Sequence, residues 1–203
     1  MPETLETIIA ISLGIGLAAA CGFRIFVPMF VISICANADW LSLSESFEWV
    51  GSPAAMIAFG VATVLEIGAY YVPWLDNLLD TIATPAAAIA GVLVTAAFVS
   101  DMHPLLAWSV SIIAGGGVAG TIKTGMAGIR IGSTTTTAGV ANPVVSTFES
   151  VSALSMSLLS IIVPIAAAIL ALILTAVLLR FAFIIWRRFY GSQPKPITEE
   201  ASR

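Results

Sequence analysis

Six apolar runs, each long enough to cross a bilayer as a helix, limit the possible folds of this chain more than any other feature. A transmembrane helix needs about 17 to 25 mostly apolar residues to match the roughly 30 Å hydrocarbon core of a bilayer. The composition agrees, since 59% of the residues are hydrophobic and 10% are charged. A soluble domain carries about 25% charged residues. The sequence therefore predicts an all-α integral membrane protein.

We predict a polytopic membrane bundle of about six transmembrane helices. The predicted spans cover about residues 7–30, 53–73, 82–100, 105–125, 143–162 and 164–186. Whether residues 27–40 finish the first span or lie along the membrane interface stays open. A single transmembrane domain is expected over residues 1–190. A disordered cytoplasmic tail is expected over residues 191–203, because that segment is polar and contains proline.

Basic residues are distributed unevenly between the predicted connections. The segment after the fourth span and the C-terminal tail are basic, whereas the connection between the first two spans is acidic. The residues concerned are Lys123, Arg130, Arg187, Arg188, Lys195 and Arg203 on one side and Asp39, Glu45 and Glu48 on the other. The positive-inside rule then places both termini in the cytoplasm, which requires an even number of spans.

A glycine-rich phrase occurs twice, as GIGLAAACGFR at residues 14–24 and as GGGVAGTIKTG at residues 115–125. After each copy, the sequence predicts one helix that contains a single glutamate and then another helix that begins with proline and alanines. The halves, about residues 7–100 and 105–186, each hold three predicted spans, so the second would enter the membrane from the opposite side. This pattern predicts an inverted 3+3 repeat, as in many secondary transporters. Alternatively, the glycines only allow close helix packing.

Four charged residues within the apolar runs are candidate transport or binding residues: Arg24, Glu66, Lys123 and Glu149. A charge at the bilayer centre costs on the order of 2.5 to 3.5 kcal/mol on insertion scales, so such residues face a partner or a wet cavity. One hypothesis pairs Arg24 with Glu66 and Lys123 with Glu149, as two centres toward opposite sides of the membrane that bind a solute or relay protons. The alternative is that the charges are structural or that the bases snorkel to the headgroups.

Two further polar clusters are candidates. Asp76 and Asp80 lie one helical turn apart and could share a cation, and the alternative is an exposed interfacial turn with its acids in water. Asn142 follows a run of four threonines at the start of the fifth predicted span. This segment, with Arg130 and Lys123 beside it, could cradle an anion or a lipid phosphate or form a gate, because free amides at a helix N-terminus attract negative charge. An ordinary flexible loop is the alternative.

The repertoire of motifs excludes several classes of protein. No nucleophile elbow, phosphate-binding loop or metalloprotease motif is present, so we expect no enzyme, no cofactor and no metal site. The isoelectric point near 4.8 gives no electrostatic footprint for nucleic acid.

Several segments together resemble a bacterial family of small multi-span inner-membrane proteins known only as an uncharacterised domain of unknown function. They are GLAAACGFRIFVP, LEIGAYYVPWLDNLLDTIATPAAAIAG, GGGVAG and ANPVVSTFE, within residues 14–168. The resemblance implies a location in the bacterial inner membrane but no substrate. From the charges and the repeat we expect a small transporter or channel-like protein for a small solute, an anion included, or for a lipid headgroup. The alternative is a membrane scaffold or assembly partner with structural charges. Homo-oligomerisation stays open.

Overall fold

The computed structural model describes residues 3–99 and 102–190, without the side chains at positions 3, 73–78, 80, 189 and 190. All regular secondary structure in these residues is helical, which confirms the predicted all-α class. The elements are α1 (Glu3–Phe23), α2 (Phe26–Asn37), a 3₁₀ helix (Glu45–Gly51), α3 (Pro53–Ala69), α4 (Pro73–Ala96), α5 (Pro104–Val110), a π-helical segment (Ser111–Gly116), α6 (Gly117–Thr137), α7 (Asn142–Ile162) and α8 (Pro164–Tyr190). Proline in the first turn helps to start α3, α4, α5 and α7.

Four helical stretches in the described residues are long and apolar enough to cross a membrane. They are Thr4–Phe23, Pro104–Thr137, Asn142–Ile162 and Pro164–Arg188. The 3₁₀ helix and α3 pass the same test together but are bent by 67°, so they form at most one broken span. The helix α2 and the stretch Thr81–Ala96 are apolar but shorter. These helices are those of a membrane protein, although the predicted six spans are not confirmed.

The first predicted span is broken at Arg24. The helix α1 ends at Phe23 and α2 begins at Phe26, so the prediction that one helix continues to about residue 30 is wrong. The start of α2 contacts the last turns of α3, where the Phe26 amide donates to the Glu66 carboxylate at 3.0 Å. Farther along α2, the Ser33 hydroxyl donates to the Val50 carbonyl, just before α3, at 2.6 Å. Thus α2 runs antiparallel to α3.

The C-terminal half of α2 lies beside the middle of α1 and not beyond its C-terminal end. Ile32 belongs to the same buried cluster as Leu13 and Val94. The connection after α2 also reaches the end of α4, where the Ser44 amide donates to the Ala97 carbonyl at 2.8 Å. The chain therefore reverses direction at Arg24 and Ile25, within the segment that the sequence predicts as one span.

The two helices that carry the repeated glycine phrase run in the same direction. Gly14 and Gly115 both pack against Thr95, and farther along α1, Gly22 packs against Ile122 of α6. An inverted repeat requires corresponding helices to run antiparallel, because one half enters the membrane from the other side. The contacts therefore do not support the predicted inverted 3+3 repeat.

The first and last helices also run in the same direction. Ala167, near the start of α8, packs against Gly16, and Leu178, farther along α8, packs against Gly125 of α6. The start of α1 and the end of α8 thus lie at opposite ends of the bundle. This arrangement does not support the prediction that both termini lie on one side. The predicted tail, residues 191–203, lies outside the described residues.

Three helical segments cross closely at the paired glycines. A Cβ atom on Gly91 would lie 2.6 Å from the Gly115 carbonyl oxygen, so the backbones of α4 and the π-helical segment are in contact. The Thr95 hydroxyl donates to the carbonyls of Gly91 at 2.8 Å and of Gly14 at 3.2 Å, which ties α1 to the same point. Around Gly117, by contrast, no atom would lie within 4 Å of an added Cβ. The packing role predicted for the glycines holds at Gly14 and Gly115 and fails at Gly117.

We expect Gly115→Ala to destabilise the protein, since its methyl group would collide with the Gly91 carbonyl and the Thr95 side chain. Overpacking of this kind costs about 1 to 3 kcal/mol, and each kcal/mol lowers Tm by about 2 to 4 °C at this chain length. The control is Gly117→Ala, where the added methyl meets open space and should be neutral or stabilising by up to about 1 kcal/mol. Thermal unfolding in detergent measures both. Equal Tm values for the two variants would contradict the proposed close crossing.

Candidate functional site

Charged side chains from distant parts of the chain meet around one aromatic ring. The Cζ atoms of Arg24 and Arg130 lie 4.0 and 4.5 Å from the centre of the Tyr70 ring. Lys123 Nζ lies 5.2 Å from the same centre. Glu149 contacts both arginines. These five side chains are at most 3% exposed, and we refer to them together as the cationic cluster.

Four helical regions position the cationic cluster. Arg24 lies at the break between α1 and α2, and Tyr70 directly follows α3. Lys123 and Arg130 are two turns apart on α6, so they lie on the same face of that helix. Glu149 lies about 10 Å along the axis of α7 from its start. The reversal at Arg24 is what brings the end of α1 to these residues.

Glu149 contacts two arginines. Its Oε2 atom lies 3.3 Å from Arg24 Nη2 and accepts a short hydrogen bond from Arg130 Nη2. Arg24 thus pairs with the glutamate of the second half and not with Glu66. The predicted pairing of Arg24 with Glu66 is therefore wrong, whereas the predicted pairing of Lys123 with Glu149 stays a prediction. The two halves of the sequence therefore do not make equivalent ion pairs.

Arg24 is fully buried, but only part of its guanidinium is hydrogen-bonded. Its Nη2 atom donates to the Ser146 carbonyl at 3.0 Å and to the Ser146 hydroxyl at 2.5 Å. Its Nε and Nη1 atoms are buried and have no hydrogen-bond partner among the described residues. Buried polar groups in proteins are nearly always hydrogen-bonded. These two nitrogens therefore need an explanation.

Lys123 lies in the interior and does not snorkel to a membrane surface. Its side chain is 1% exposed, and Nζ donates to the Phe23 carbonyl at 3.4 Å. Lys123 and Arg24 both face the Tyr70 ring. The prediction that these two bases lie toward opposite sides of the membrane is therefore wrong.

Glu66 has a different position from Glu149. Its two carboxylate oxygens accept from the amides of Ile25 and Phe26 at 2.9 and 3.0 Å. The side chain thus caps the start of α2, where free amides and the helix dipole favour a negative charge. Since α2 begins one residue after the break, Glu66 also holds the reversal at Arg24 in place.

The threonine run is helical. Residues 134–137 form the end of α6, and Ala138 with φ 52° and Gly139 with φ 84° end that helix in left-handed conformations. The threonine hydroxyls donate mainly to carbonyls one turn earlier, as Thr137 does to Ser133 at 2.8 Å. Asn142 bridges to α6, donating to the Thr134 hydroxyl at 3.1 Å. The flexible-loop alternative is therefore wrong, and a gating role for Asn142 stays a prediction.

The acidic pair Asp76 and Asp80 lies on α4, but both side chains are outside the described part of the structure. Their predicted cation site stays a prediction.

Two residues of the site, Tyr70 and Ser146, were not predicted. The sequence predicts Arg130 beside an anion cradle but in a connection, because the predicted fourth span ends at about residue 125, whereas α6 continues to Thr137. The spacing of seven residues between Lys123 and Arg130 indicates that both lie on the same face if the helix continues, because seven residues make about two helical turns. No comparable signal in the sequence identifies Tyr70.

Comparison with known proteins identifies the family of this chain but assigns it no activity. No curated protein and no solved structure matches it. Residues 11–184 match a protein family described as a domain of unknown function, DUF4126. The match covers both halves of the sequence and every residue of the cationic cluster. The chain therefore belongs to the DUF4126 family.

Proposed function

We propose that this membrane protein binds a small anion within its helical bundle and acts as a transporter or channel-like protein for it. The anion is either a free solute or the headgroup of a lipid, since both present the same negatively charged oxygens. The proposed place of action is the bacterial inner membrane, and the proposed activity is transport without catalysis.

The concentration of basic side chains in the interior is the observation that carries this proposal. Three buried bases (Arg24, Lys123 and Arg130) lie around the Tyr70 ring, and Glu149 contacts the two arginines. Charges away from water are costly unless they are paired and hydrogen-bonded, so bases gathered in a bundle interior favour negatively charged oxygens beside them. A bound anion would supply such oxygens.

Arg24 provides the most direct contact for such an anion. Its Nε and Nη1 atoms carry hydrogens that point at no acceptor among the described residues. Hydrogen bonds from a guanidinium to an anion are charge-assisted and about twice as strong as neutral ones. An anion beside Arg24 would therefore satisfy both buried donors.

The position of Arg24 at a helix break supports transport in particular. Secondary transporters bind their substrates at discontinuous helices, because the free backbone groups and dipoles at the break face the solute. Here the break between α1 and α2 carries Arg24 itself, and the first amides of α2 are held by Glu66. A conformational change at Arg24 and Ile25 would move α2 relative to α1 and expose the cationic cluster to one side of the membrane.

A membrane scaffold is the second candidate, and the contacts of Glu149 favour it. This carboxylate is 1% exposed and lies between two arginines, as expected for an ion pair that locks helices together. Truncating one partner of a buried ion pair typically costs about 3 to 5 kcal/mol. In this candidate the same residues stabilise the bundle, and no solute enters.

We expect small anions to stabilise the purified wild-type protein and not the Arg24→Lys variant, which keeps the charge but loses the Nε and Nη1 donors. A ligand at about 100 times its Kd stabilises the folded state by roughly 2.7 kcal/mol, or about 5 to 10 °C in Tm at this length. Thermal unfolding in detergent with chloride, nitrate, sulfate, phosphate and a short-chain phosphatidic acid measures this. A response to the lipid alone identifies a headgroup, and a response to inorganic anions identifies a free solute.

The matched control is Arg180→Lys, because Arg180 is an exposed arginine on α8, far from the cluster in sequence. Its anion response should equal that of wild type. If no anion raises the Tm of the wild-type protein, the anion site is refuted. If anions bind but proteoliposomes show no flux that Arg24→Lys abolishes, the scaffold candidate replaces the transporter.

We expect the Tyr70 ring to stabilise the cluster, because its face attracts the three bases that otherwise repel one another. Each cation–π contact contributes about 0.5 to 2 kcal/mol. Tyr70→Phe keeps the ring and should lose at most about 1 kcal/mol, the usual contribution of one hydrogen bond. Tyr70→Leu should lose more than about 2 kcal/mol. Chemical unfolding compares the two variants, and equal losses would show that the aromatic face is unimportant.

A further inference from the structure

The three residues that follow α3 form an outer wall of the cationic cluster, and we refer to residues 70–72 as the covering segment. Tyr70 is 3% exposed and its ring lies against the Arg24 guanidinium, whereas Tyr71 and Val72 are 47% and 39% exposed. The layer between the buried arginine and the outside of the bundle is therefore only one residue thick at this point.

A side-chain hydrogen bond joins the covering segment to α7. The hydroxyl oxygens of Tyr71 and Thr147 lie 2.8 Å apart, and the Thr147 hydroxyl donates to the Pro143 carbonyl at 2.8 Å. Because a threonine hydroxyl has a single proton, Tyr71 is the donor to Thr147. Thr147 directly follows Ser146, whose hydroxyl accepts from Arg24. The bond therefore closes the bundle beside a residue that contacts Arg24.

The backbone of the covering segment is bonded to the turn that precedes it. The amides of Tyr71 and Val72 donate to carbonyls three residues earlier, both at 3.1 Å, and these bonds do not attach the segment to another helix. Gly68 lies in the last turn of α3, and no atom of the described residues would lie within 4 Å of a Cβ added there. Glycine weakens a helix relative to alanine, so α3 can bend at Gly68 and the covering segment would move with it.

We propose that the covering segment is a lid over the cationic cluster, and that the hydrogen bond between Tyr71 and Thr147 is the latch that keeps the lid closed. This inference rests on the proposed anion site and specifies how an anion reaches it. When the latch breaks, the lid moves away from α7 and opens a path to Ser146 and Arg24. Thr147 lies about 7 to 8 Å along α7 from its start, so the path leads to that end of the bundle.

The strength of the latch determines how often the lid is open. A hydrogen bond between side chains in a membrane bundle changes an equilibrium constant by about threefold to thirtyfold. Loss of the latch should raise the open population by this factor and leave the closed site unchanged. A reagent that reacts slowly compared with lid closure modifies the protein at a rate proportional to the open population. The modification rate of a buried group therefore measures the latch.

A thiol at position 146 is the reporter of lid opening. Ser146→Cys exchanges a fully buried hydroxyl for a thiol, and the protein without this substitution is the blank, because Cys21 and Cys35 are buried. The purified full chain in detergent is treated with a sulfonate or a quaternary ammonium methanethiosulfonate, and mass spectrometry follows the modification. Each rate is divided by the rate of the same reagent with mercaptoethanol. The proposed anion site predicts that the anionic reagent then reacts faster than the cationic one.

The latch is tested with Tyr71→Phe and Thr147→Val, which each remove one partner and keep its shape. We expect each substitution to raise the modification rate by about threefold to thirtyfold. The double variant should show no further rise, since either single substitution already removes the latch. Thr124→Val is the matched control, because Thr124 is also exposed and also donates to the carbonyl four residues earlier, at 2.7 Å. It should change the rate by less than about twofold.

Lys123 is a second reporter, which keeps the test informative if Ser146→Cys fails to fold. Its Nζ atom lies 5.2 Å from the centre of the Tyr70 ring, and its side chain is 1% exposed. The sequence contains one other lysine, Lys195, which serves as the internal reference. Acetylation of Lys123 by a sulfosuccinimidyl ester should be faster in Tyr71→Phe and Thr147→Val by the same factor as the thiol modification.

The outcomes separate the lid from the anion site. If Tyr71→Phe and Thr147→Val leave the modification rates unchanged, the lid is refuted, whether or not an anion binds. Additive effects in the double variant would also overturn the latch, because the two hydroxyls would then act independently. If both substitutions speed modification but the anionic reagent has no advantage and no anion raises Tm, the anion site is refuted and the lid is supported.

Discussion

The packing of this bundle depends on keeping three basic side chains together away from water. Arg24, Lys123 and Arg130 would repel one another in an apolar interior, and the Tyr70 ring with the Glu149 carboxylate holds them in place. These groups come from the ends or middles of α1, α6 and α7 and from the residue after α3. The cluster therefore acts as the point where the long helices of the two sequence halves are joined.

The reversal at Arg24 and Ile25 determines how the chain passes through the bundle. It divides one apolar run into α1 and α2 and adds a change of direction that hydropathy does not reveal. An additional reversal changes the parity of the path, so α1 and α8 run in the same direction. A charge rule that counts passes from hydropathy alone does not include this reversal, so the predicted orientation of the termini is not supported. Glu66 stabilises this reversal through two backbone amides.

The fold class and part of the site could be predicted from the sequence because both follow from the cost of placing groups in hydrocarbon. Long apolar runs identify membrane helices, and charges within them identify Arg24, Lys123 and Glu149 as interior residues. The pairing of those charges could not be predicted, since it depends on which helices are neighbours and in which direction they run. Arg130 is predicted only in a connection because the apolar run ends near residue 125, whereas the hydroxyls of Thr136 and Thr137 bond to carbonyls of the preceding turn and α6 continues.

The π-helical segment Ser111–Gly116 has a consequence for the rotation of α6 about its axis. A π turn accommodates one more residue than an α turn, and one residue corresponds to about 100° of rotation in an α-helix. The faces of α5 and α6 are therefore offset by an inserted residue, and the backbone contact between Gly91 and Gly115 holds that offset. Chain length between Pro104 and Gly115 thus determines the rotation of α5 relative to α6, on which Lys123 and Arg130 are buried.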